Sequence, residues 1–461
     1  MRYTSDTEAK TTEMLKSLGL SSLDDLFADI PQEILDRCQL PESWGLTELS
    51  IRRQMEQLAQ DNWSSEDSPI FLGAGCYDHY IPFAVDSLLS RSEFYTAYTP
   101  YQPEISQGIL QGIFEYQTLI CNLTQMDVAN ASLYCGGSAL ATACLVAAET
   151  TKKSKILLPA SVHPDYARIV RTYALSGRMV PVELPIVASG RTDRPTGVID
   201  LDALSRLLDE ETAAVVIPYP NFFGLLEPVD QIVQIVREKS RALVILQVDP
   251  FTLAMLKSPG EWGADIAVGD AQTLGNPMSF GGPHLGFMAV TEKLLRKIPG
   301  RLVGETVDES GKRAFVLTLQ AREQHIRREK ANSNICSNEA LCALATSMYL
   351  TFVGPAALKQ AAFLSHQLAC YAHNHFKNAG FSFPYNAPFF REFAVRVSNP
   401  KKANALLLEN GIIGGYELDD ALLFAFTEKR TREEIDELIE LMVESESGVS
   451  CQANRKGASF Q

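Results

Sequence analysis

The residues that could do chemistry gather first between Gln247 and Phe287, in the stretch QVDPFTLAMLKSPGEWGADIAVGDAQTLGNPMSFGGPHLGF. An apolar strand predicted over 242–248 delivers Asp249 to its carboxyl end, and a second strand is predicted over 265–268. Gly269-Asp270-Ala271-Gln272-Thr273-Leu274-Gly275 and the turn Gly281-Gly282-Pro283 follow. A carboxylate at the end of a buried strand suits a positively charged group on a ligand. No lysine lies between Lys257 and Lys293, so nothing in this stretch supplies a primary amine. Upstream, ASLYCGGSALATACLVAAETT turns a short predicted strand, 132–134, through Gly136 and Gly137 into a helix of small residues. Glycines at such a junction let backbone N–H groups face a phosphate over the helix terminus. Close packing of a helix on a sheet asks for the same glycines and alanines, so the pair has a purely structural explanation as well.

The elements that must hold these residues alternate. Strands are predicted over 155–158, 179–182, 213–218 and 242–248, with helices over 164–175, 201–208 and 229–240 between them. That alternation implies a parallel sheet with crossover helices, and ligands of such sheets sit at the carboxyl ends of the strands. Gly136, His163, Asn221 and Asp249 all fall there. Taken singly, Asn221 and Asp249 read as turn residues and His163 as a helix cap. Their sharing one edge points to a site.

Composition limits the function classes. The 461 residues exceed what one core normally serves, and the balance of 46% hydrophobic to 21% charged residues is that of a globular protein. With 41 basic and 56 acidic side chains the net charge is −15, which argues against nucleic acid or an anionic membrane as partner. The nine cysteines form no CxxC pair, and several lie in apolar helical runs, as expected of reduced thiols in a cytoplasmic protein. The acid-containing start does not read as a signal peptide. No apolar run is read as approaching the roughly 20 residues that span a bilayer. His373 and His375 lack a third suitably spaced ligand, so no metal site is expected.

Four regions are predicted. Residues 1–63 form a helical arm, with Ser22 as a cap and Leu49, Ile51, Met55 and Leu58 along one helix; it is expected to dock on its own chain or on a partner. Residues 64–350 form a large α/β domain, 351–445 a small α+β domain, and 446–461 a frayed tail. The loop FYTAYTPYQPEISQG holds Tyr95, Tyr98 and Tyr101, a composition suited to a cleft or a subunit contact. A basic stretch carries Arg322, His325, Arg327, Arg328 and Lys330 before ANSNICSN. It suits a solvated face, or a carboxylate or phosphate. Lys330 lies in a polar run rather than after a buried strand, so it is discounted as a cofactor anchor. In the small domain, REFAVRV is predicted as a strand, and Thr431 with Glu434 forms a capping box for the last helix.

The 247–287 stretch resembles the cofactor segment of a pyridoxal-phosphate enzyme without its lysine. The phrases YTPYQPEISQG, LYCGGSALATA, GDAQTLGNPMSFGGPHLGF and LTLQAREQHIRREKANSNICSNEALCALA resemble the glycine cleavage system P-protein, and more closely the separate N-terminal half found where that enzyme is split into two chains. The likeness spans nearly the whole chain. It implies the aspartate-aminotransferase-like fold, type I of the pyridoxal-phosphate enzymes. It implies decarboxylation of glycine on pyridoxal phosphate (PLP) and passage of the aminomethyl group to the lipoyl arm of H-protein, with T-protein and L-protein completing the system. An α2β2 complex is implied, in which the beta subunit carries the lysine. On this chain the likeness places Gly136, Gly137 and Ser138 at the phosphate turn, Asp249 at the pyridine nitrogen and, loosely, His163 at the ring-stacking position. The lysine position falls near Gln272 or Thr273. This chain is then expected to be inactive alone, with Tyr95, Tyr98, Tyr101, Arg322 and Arg327 facing the partner or the passage for the lipoyl arm. A self-sufficient PLP lyase or transferase using another lysine, and a purely structural subunit, are the alternatives.

Overall fold

The computed structural model describes residues 7–38, 45–95, 102–187, 195–331, 333, 335 and 337–447, with the side chain of Arg322 outside that description. The chain divides into two compact units, Met1–Trp63 and Ser64–Gln461.

The first unit is helical. Helix Glu8–Ser17 is capped by the Thr7 hydroxyl and helix Glu48–Gln60 by that of Thr47. Ser22 accepts from Asp25 N at 3.3 Å, ahead of a short 3-10 turn, Asp24–Phe27. Leu49, Ile51, Met55 and Leu58 are exposed.

The second unit is built on a seven-stranded sheet. Its strands are β1 (Val128–Ala129), β2 (Lys155–Pro159), β3 (Val180–Leu184), β4 (Thr212–Tyr219), β5 (Leu243–Val248), β6 (Ile266–Asp270) and β7 (Gly286–Val290), in the order β1-β7-β6-β5-β4-β2-β3. Strands β3, β2, β4, β5 and β6 run parallel; β7 is antiparallel to both β6 and β1. The near-continuous apolar runs of β4 and β5 follow from burial on both faces. Side chains alternate across a strand, so Val215, Ile217, Val244 and Leu246 enter one core while Ala214, Val216 and Ile245 enter the other. Helix Gly136–Thr151 lies in the second core, with Ala139, Leu140, Ala143, Cys144 and Ala147 buried. Its small residues permit the close approach.

A two-stranded sheet pairs β8 (Val303–Val307) with β9 (Arg313–Leu317). A three-stranded antiparallel sheet holds β10 (Glu392–Arg396), β11 (Tyr416–Glu417) and β12 (Ala421–Ala425) in the order β10-β12-β11. Phe393, Val395, Leu422 and Phe424 point from it into a third core with Ile435, Leu438 and Met442 of helix Arg432–Ser447. The capping box at the start of that helix forms: Glu434 accepts from Thr431 N at 2.8 Å and Thr431 from Glu434 N at 3.2 Å.

Helix Ala340–Asn378 joins the cores. Its first half places Ala343 and Tyr349 in the core of the large sheet, and its last part places Leu368, Ala369, Ala372 and Phe376 in that of the small sheet. Gly354, at φ 68° and ahead of Pro355, breaks the helix between them. By length and composition alone this helix could span a membrane, contrary to the sequence reading; the buried side chains on both sides of its break mark it as a core helix. One further expectation fails. Residues 132–134 contribute only an isolated bridge from Leu133 to Gly286, because the chain there is already turning into the Gly136 helix. After β7 the chain makes a single 3-10 turn, Glu292–Leu294. Strand β8 was not expected, since its charged and glycine residues hide the alternation.

Candidate functional site

A cleft opens at the carboxyl edge of the parallel strands, with a volume of about 630 Å³ including its mouth. Asp249 and Asp270 reach it from the ends of β5 and β6. His163 comes from the start of helix Pro164–Ala174, Asn221 from the turn after β4, and Arg391 and Glu392 from the start of β10. The loop carrying Gly75 and Tyr77 closes one side. Among the described residues, no lysine lines the cleft.

Asp249 is held on both carboxylate oxygens. Oδ1 accepts from Phe251 N and from the Thr273 hydroxyl, each at 3.1 Å, and Oδ2 pairs with Arg391. Arg391 is buried and stacks over the Tyr77 ring, 3.7 Å from its centroid. Its other terminal nitrogen meets His79 Nε2. A guanidinium only donates, so Nε2 must accept, and Nδ1–H then donates to Glu428 at 2.6 Å. Burial, followed by the Arg391 charge, pushes the His79 pKa down and keeps the ring neutral. Beside it, Glu392 accepts from Ala74 N at 2.6 Å and from the Tyr77 hydroxyl at 2.8 Å. Burial raises its carboxyl to about 7 despite these donors.

Asp270 caps the other end of the cleft. Its Oδ2 accepts from Gly136 N at 2.9 Å, and its Oδ1 from Gln272 N at 3.0 Å and Leu285 N at 3.3 Å. His284 Nδ1 lies 3.7 Å from Oδ2, and contact with Asp270, then with Cys76, raises the imidazole to about 10. Gln272 and Thr273 are buried. The Gln272 amide clamps the loop, accepting from Tyr77 N at 3.0 Å and donating to Tyr77 O at 3.1 Å and Asn276 O at 2.9 Å.

His163 is both a helix cap and part of the cleft wall. Its Nδ1 accepts from Asp165 N at 3.1 Å, which leaves Nε2–H to donate to Ala74 O at 2.8 Å. Its ring stacks on Tyr166 with centroids 4.8 Å apart. Asn221 is likewise both a turn residue and a wall residue. Its Oδ1 accepts from Phe223 N at 3.0 Å and Leu225 N at 3.2 Å, and its Nδ2 donates to Gly197 O at 3.0 Å and Glu227 at 2.8 Å. Glu227 also accepts from Ser161 at 2.9 Å and Ile199 N at 2.8 Å, and burial lifts it to about 7. The Ser138 hydroxyl turns back onto Cys135, accepting from its N at 3.0 Å and donating to its O at 2.8 Å. Tyr95 ends a short exposed helix, Ser92–Tyr95, and Arg327 lies on an exposed turn bonded to Ala321 O at 3.2 Å; neither lines the cleft. Tyr98, Tyr101 and the Arg322 side chain lie outside the described residues.

The family model of the glycine cleavage system P-protein matches residues 1–442. A probable glycine dehydrogenase (decarboxylating) subunit 1 of Syntrophomonas wolfei is 55% identical over 442 residues, covering 96% of this chain and 99% of that protein. The chain belongs to the glycine cleavage system P-protein family. A crystal structure of a glycine decarboxylase P-protein in inhibitor-bound form superposes with a TM-score of 0.86 at 41% identity, covering 96% of this chain and all of that one. A sphingosine-1-phosphate lyase of Burkholderia pseudomallei shares the fold at a TM-score of 0.64 and 15% identity, over 88% of this chain and 92% of its own. The architecture is thus the type I fold of PLP-dependent enzymes, its large sheet mostly parallel and its small domain α+β.

In this P-protein chain the polar residues that sequence reasoning missed are Tyr77, His79, Asp270, His284, Arg391, Glu392 and Glu428. Arg391 and Glu392 carried a signal: two charges directly ahead of the apolar alternation of β10. Asp270 carried a second, an acid closing a strand of small and apolar residues. His79 and Glu428 are 349 positions apart and carried none.

Proposed function

We propose that this chain is subunit 1 of a two-chain glycine dehydrogenase (decarboxylating). On this reading it lacks the Schiff-base lysine, is inactive alone, and completes an enzyme whose PLP is held by the partner subunit. One observation carries the reading. At the end of β6, where the family resemblance puts the lysine, stand Gln272 and Thr273, both buried and both tied into the chain's own structure.

The remaining residues fit poorly with a PLP held by this chain. Gly136 N–H, at the expected phosphate turn, already donates to Asp270. Asp249, at the expected pyridine position, already pairs with Arg391. No chemical step is therefore assigned to this cleft. PLP on the partner subunit supplies the electron sink that glycine decarboxylation requires. The aminomethyl group then passes to the lipoyl arm of H-protein. The roles of Tyr95, Tyr98, Tyr101, Arg322 and Arg327 at the partner or the lipoyl passage belong to the same proposal.

The test is reconstitution. The purified chain is incubated with PLP, reduced with borohydride and assayed for glycine–carbon dioxide exchange, alone and after co-purification with candidate partner and H-protein chains. Exchange only in the reconstituted complex, with the reducible adduct on the partner, supports the reading. A reducible adduct on this chain together with exchange by the chain alone overturns it.

A further inference from the structure

The two ends of the cleft that would carry a PLP's charges are each met by a charged side chain of this polypeptide. At one end lies the N-terminus of the 16-residue helix Gly136–Thr151. Its first N–H donates to Asp270 at 2.9 Å, and the same carboxylate collects two further backbone N–H groups, those of Gln272 and Leu285. An anion over a helix N-terminus is favoured by the exposed N–H groups and the helix dipole. A carboxylate there has the sign and the hydrogen-bonding role of a phosphate. The fit is close: a Cβ on Gly136 would lie 3.0 Å from Asp270 Cβ and 2.5 Å from the Tyr166 hydroxyl.

At the other end, Asp249 pairs with Arg391, a cation that stacks flat over Tyr77. A protonated ring nitrogen would bring the same charge to the same carboxylate. The two replacements come from different parts of the chain. Asp270 ends β6 of the large sheet, and Arg391 precedes β10 of the small one. Neither position forces the other.

We infer that Asp270 and Arg391 are built-in substitutes for the phosphate and the ring nitrogen of a cofactor, and that Asp270 shuts phosphate out of the Gly136 helix terminus. This inference rests on the proposal that the chain holds no cofactor of its own. It makes a specific claim about what the wild-type pocket conceals. With the Asp270 carboxylate removed, the helix terminus and the His284 imidazole face one space and form a latent phosphate site.

The experiment follows the melting temperature of the full-length chain in inorganic phosphate and in sodium chloride of equal ionic strength, for the wild type, D270A and D270N. Wild type should show only the non-specific stabilisation that phosphate, as a kosmotropic anion, gives any folded chain. D270A should be stabilised by phosphate, with an apparent affinity at least about tenfold tighter than wild type, the scale of an anion at a helix terminus. D270N keeps the side-chain shape and loses only the charge, so it should respond in the same direction. A wild type that responds as strongly as D270A overturns the inference, as does a folded D270A with no response. If D270A folds only when phosphate is present, the substitution is supported; if it folds in neither salt, D270N decides, and a flat response there overturns it. A borohydride-reducible PLP adduct on the wild-type chain would instead defeat the division of labour between subunits and leave the phosphate comparison readable.

Discussion

Arg391 gives the sharpest test of what holds the cleft together. The residue is 2% exposed, and its guanidinium serves Asp249, His79 and the face of Tyr77 at once. In R391M the apolar stem is largely replaced but the charge is lost. The Asp249 carboxyl then has only the Thr273 hydroxyl and Phe251 N–H beside it, and His79 Nε2 loses its donor. Breaking a buried pair by removing one partner costs about 3–5 kcal/mol, and losing a desolvated cation–π contact about 1–2 kcal/mol. The Asp249 side chain keeps 18% of its exposure, and water reaching it offsets part of that loss. The expected net cost of R391M is therefore about 3–5 kcal/mol.

The companion change, D249N, removes the charge that R391M strands. The double variant should lose clearly less than the sum of the single losses, with a coupling of about 2–3 kcal/mol, within the range for contacting residues. The assay is urea denaturation of the full chain followed by circular dichroism and tyrosine fluorescence, with the three variants compared at equal m value. If the two losses add to within about 0.5 kcal/mol, the pair is not a coupled unit and the reasoning fails.

Three other outcomes are expected. Glu392 has its pKa raised from 4.5 to about 7, so its neutral form is favoured on folding; the contribution is full below the unfolded value and lost as pH rises through 7. A rise from 4.5 to about 7 corresponds to about 3 kcal/mol, so E392Q should flatten the melting-temperature profile between about pH 4.5 and 7, leaving the comparable slope from Glu227; an unchanged slope would refute the assignment. E227Q should destabilise by about 1–3 kcal/mol below about pH 4.5, because Ser161, Asn221 and Ile199 all donate to this carboxyl and an amide turns one acceptor into a donor, with the deficit shrinking as pH rises through 7; equal or greater denaturant resistance at low pH would count against it. G224A should lose more than about 2 kcal/mol or fail to fold, since Gly224 has φ +78° and its added Cβ would lie 2.0 Å from Glu392 O; wild-type melting would show that the turn yields.

The fold was legible because its signals are local and repeated. Apolar runs in β2, β4 and β5, punctuated by amphipathic helices, announce a buried parallel sheet, and the carboxyl edge of that sheet follows from topology. His163, Asn221 and Asp249 could be placed there before any coordinates. What could not be read is what they touch. Arg391 lies 142 residues from Asp249, and Asp270 lies 134 residues from Gly136. A sequence shows that a strand ends in a carboxylate, but the cation that neutralises it arrives through tertiary packing, with no spacing to betray it. The break at Gly354, by contrast, has a local cause: Gly-Pro inside an apolar helical run acts on its own turn of backbone.

The location of the buried charge follows from the same physics. A helix terminus and a strand-end carboxylate, once shaped for a ligand, leave donors and a charge that are expensive to bury without partners. A chain that stops binding the ligand must expose them to water or supply partners from within. On the proposed reading Asp270 and Arg391 do the second, and His79, Glu392 and Glu428 extend the network around them. Because Arg391 and Glu392 belong to the small sheet, and Asp249, Asp270 and Tyr77 to the large sheet and its loop, these contacts also join the two sheets. On the proposed reading, side chains standing in for a charged ligand make the cleft a structural joint. On that reading the chain contributes to glycine chemistry through the surfaces the joint keeps in register, and perturbing Arg391 should disturb that register before it touches any reacting atom.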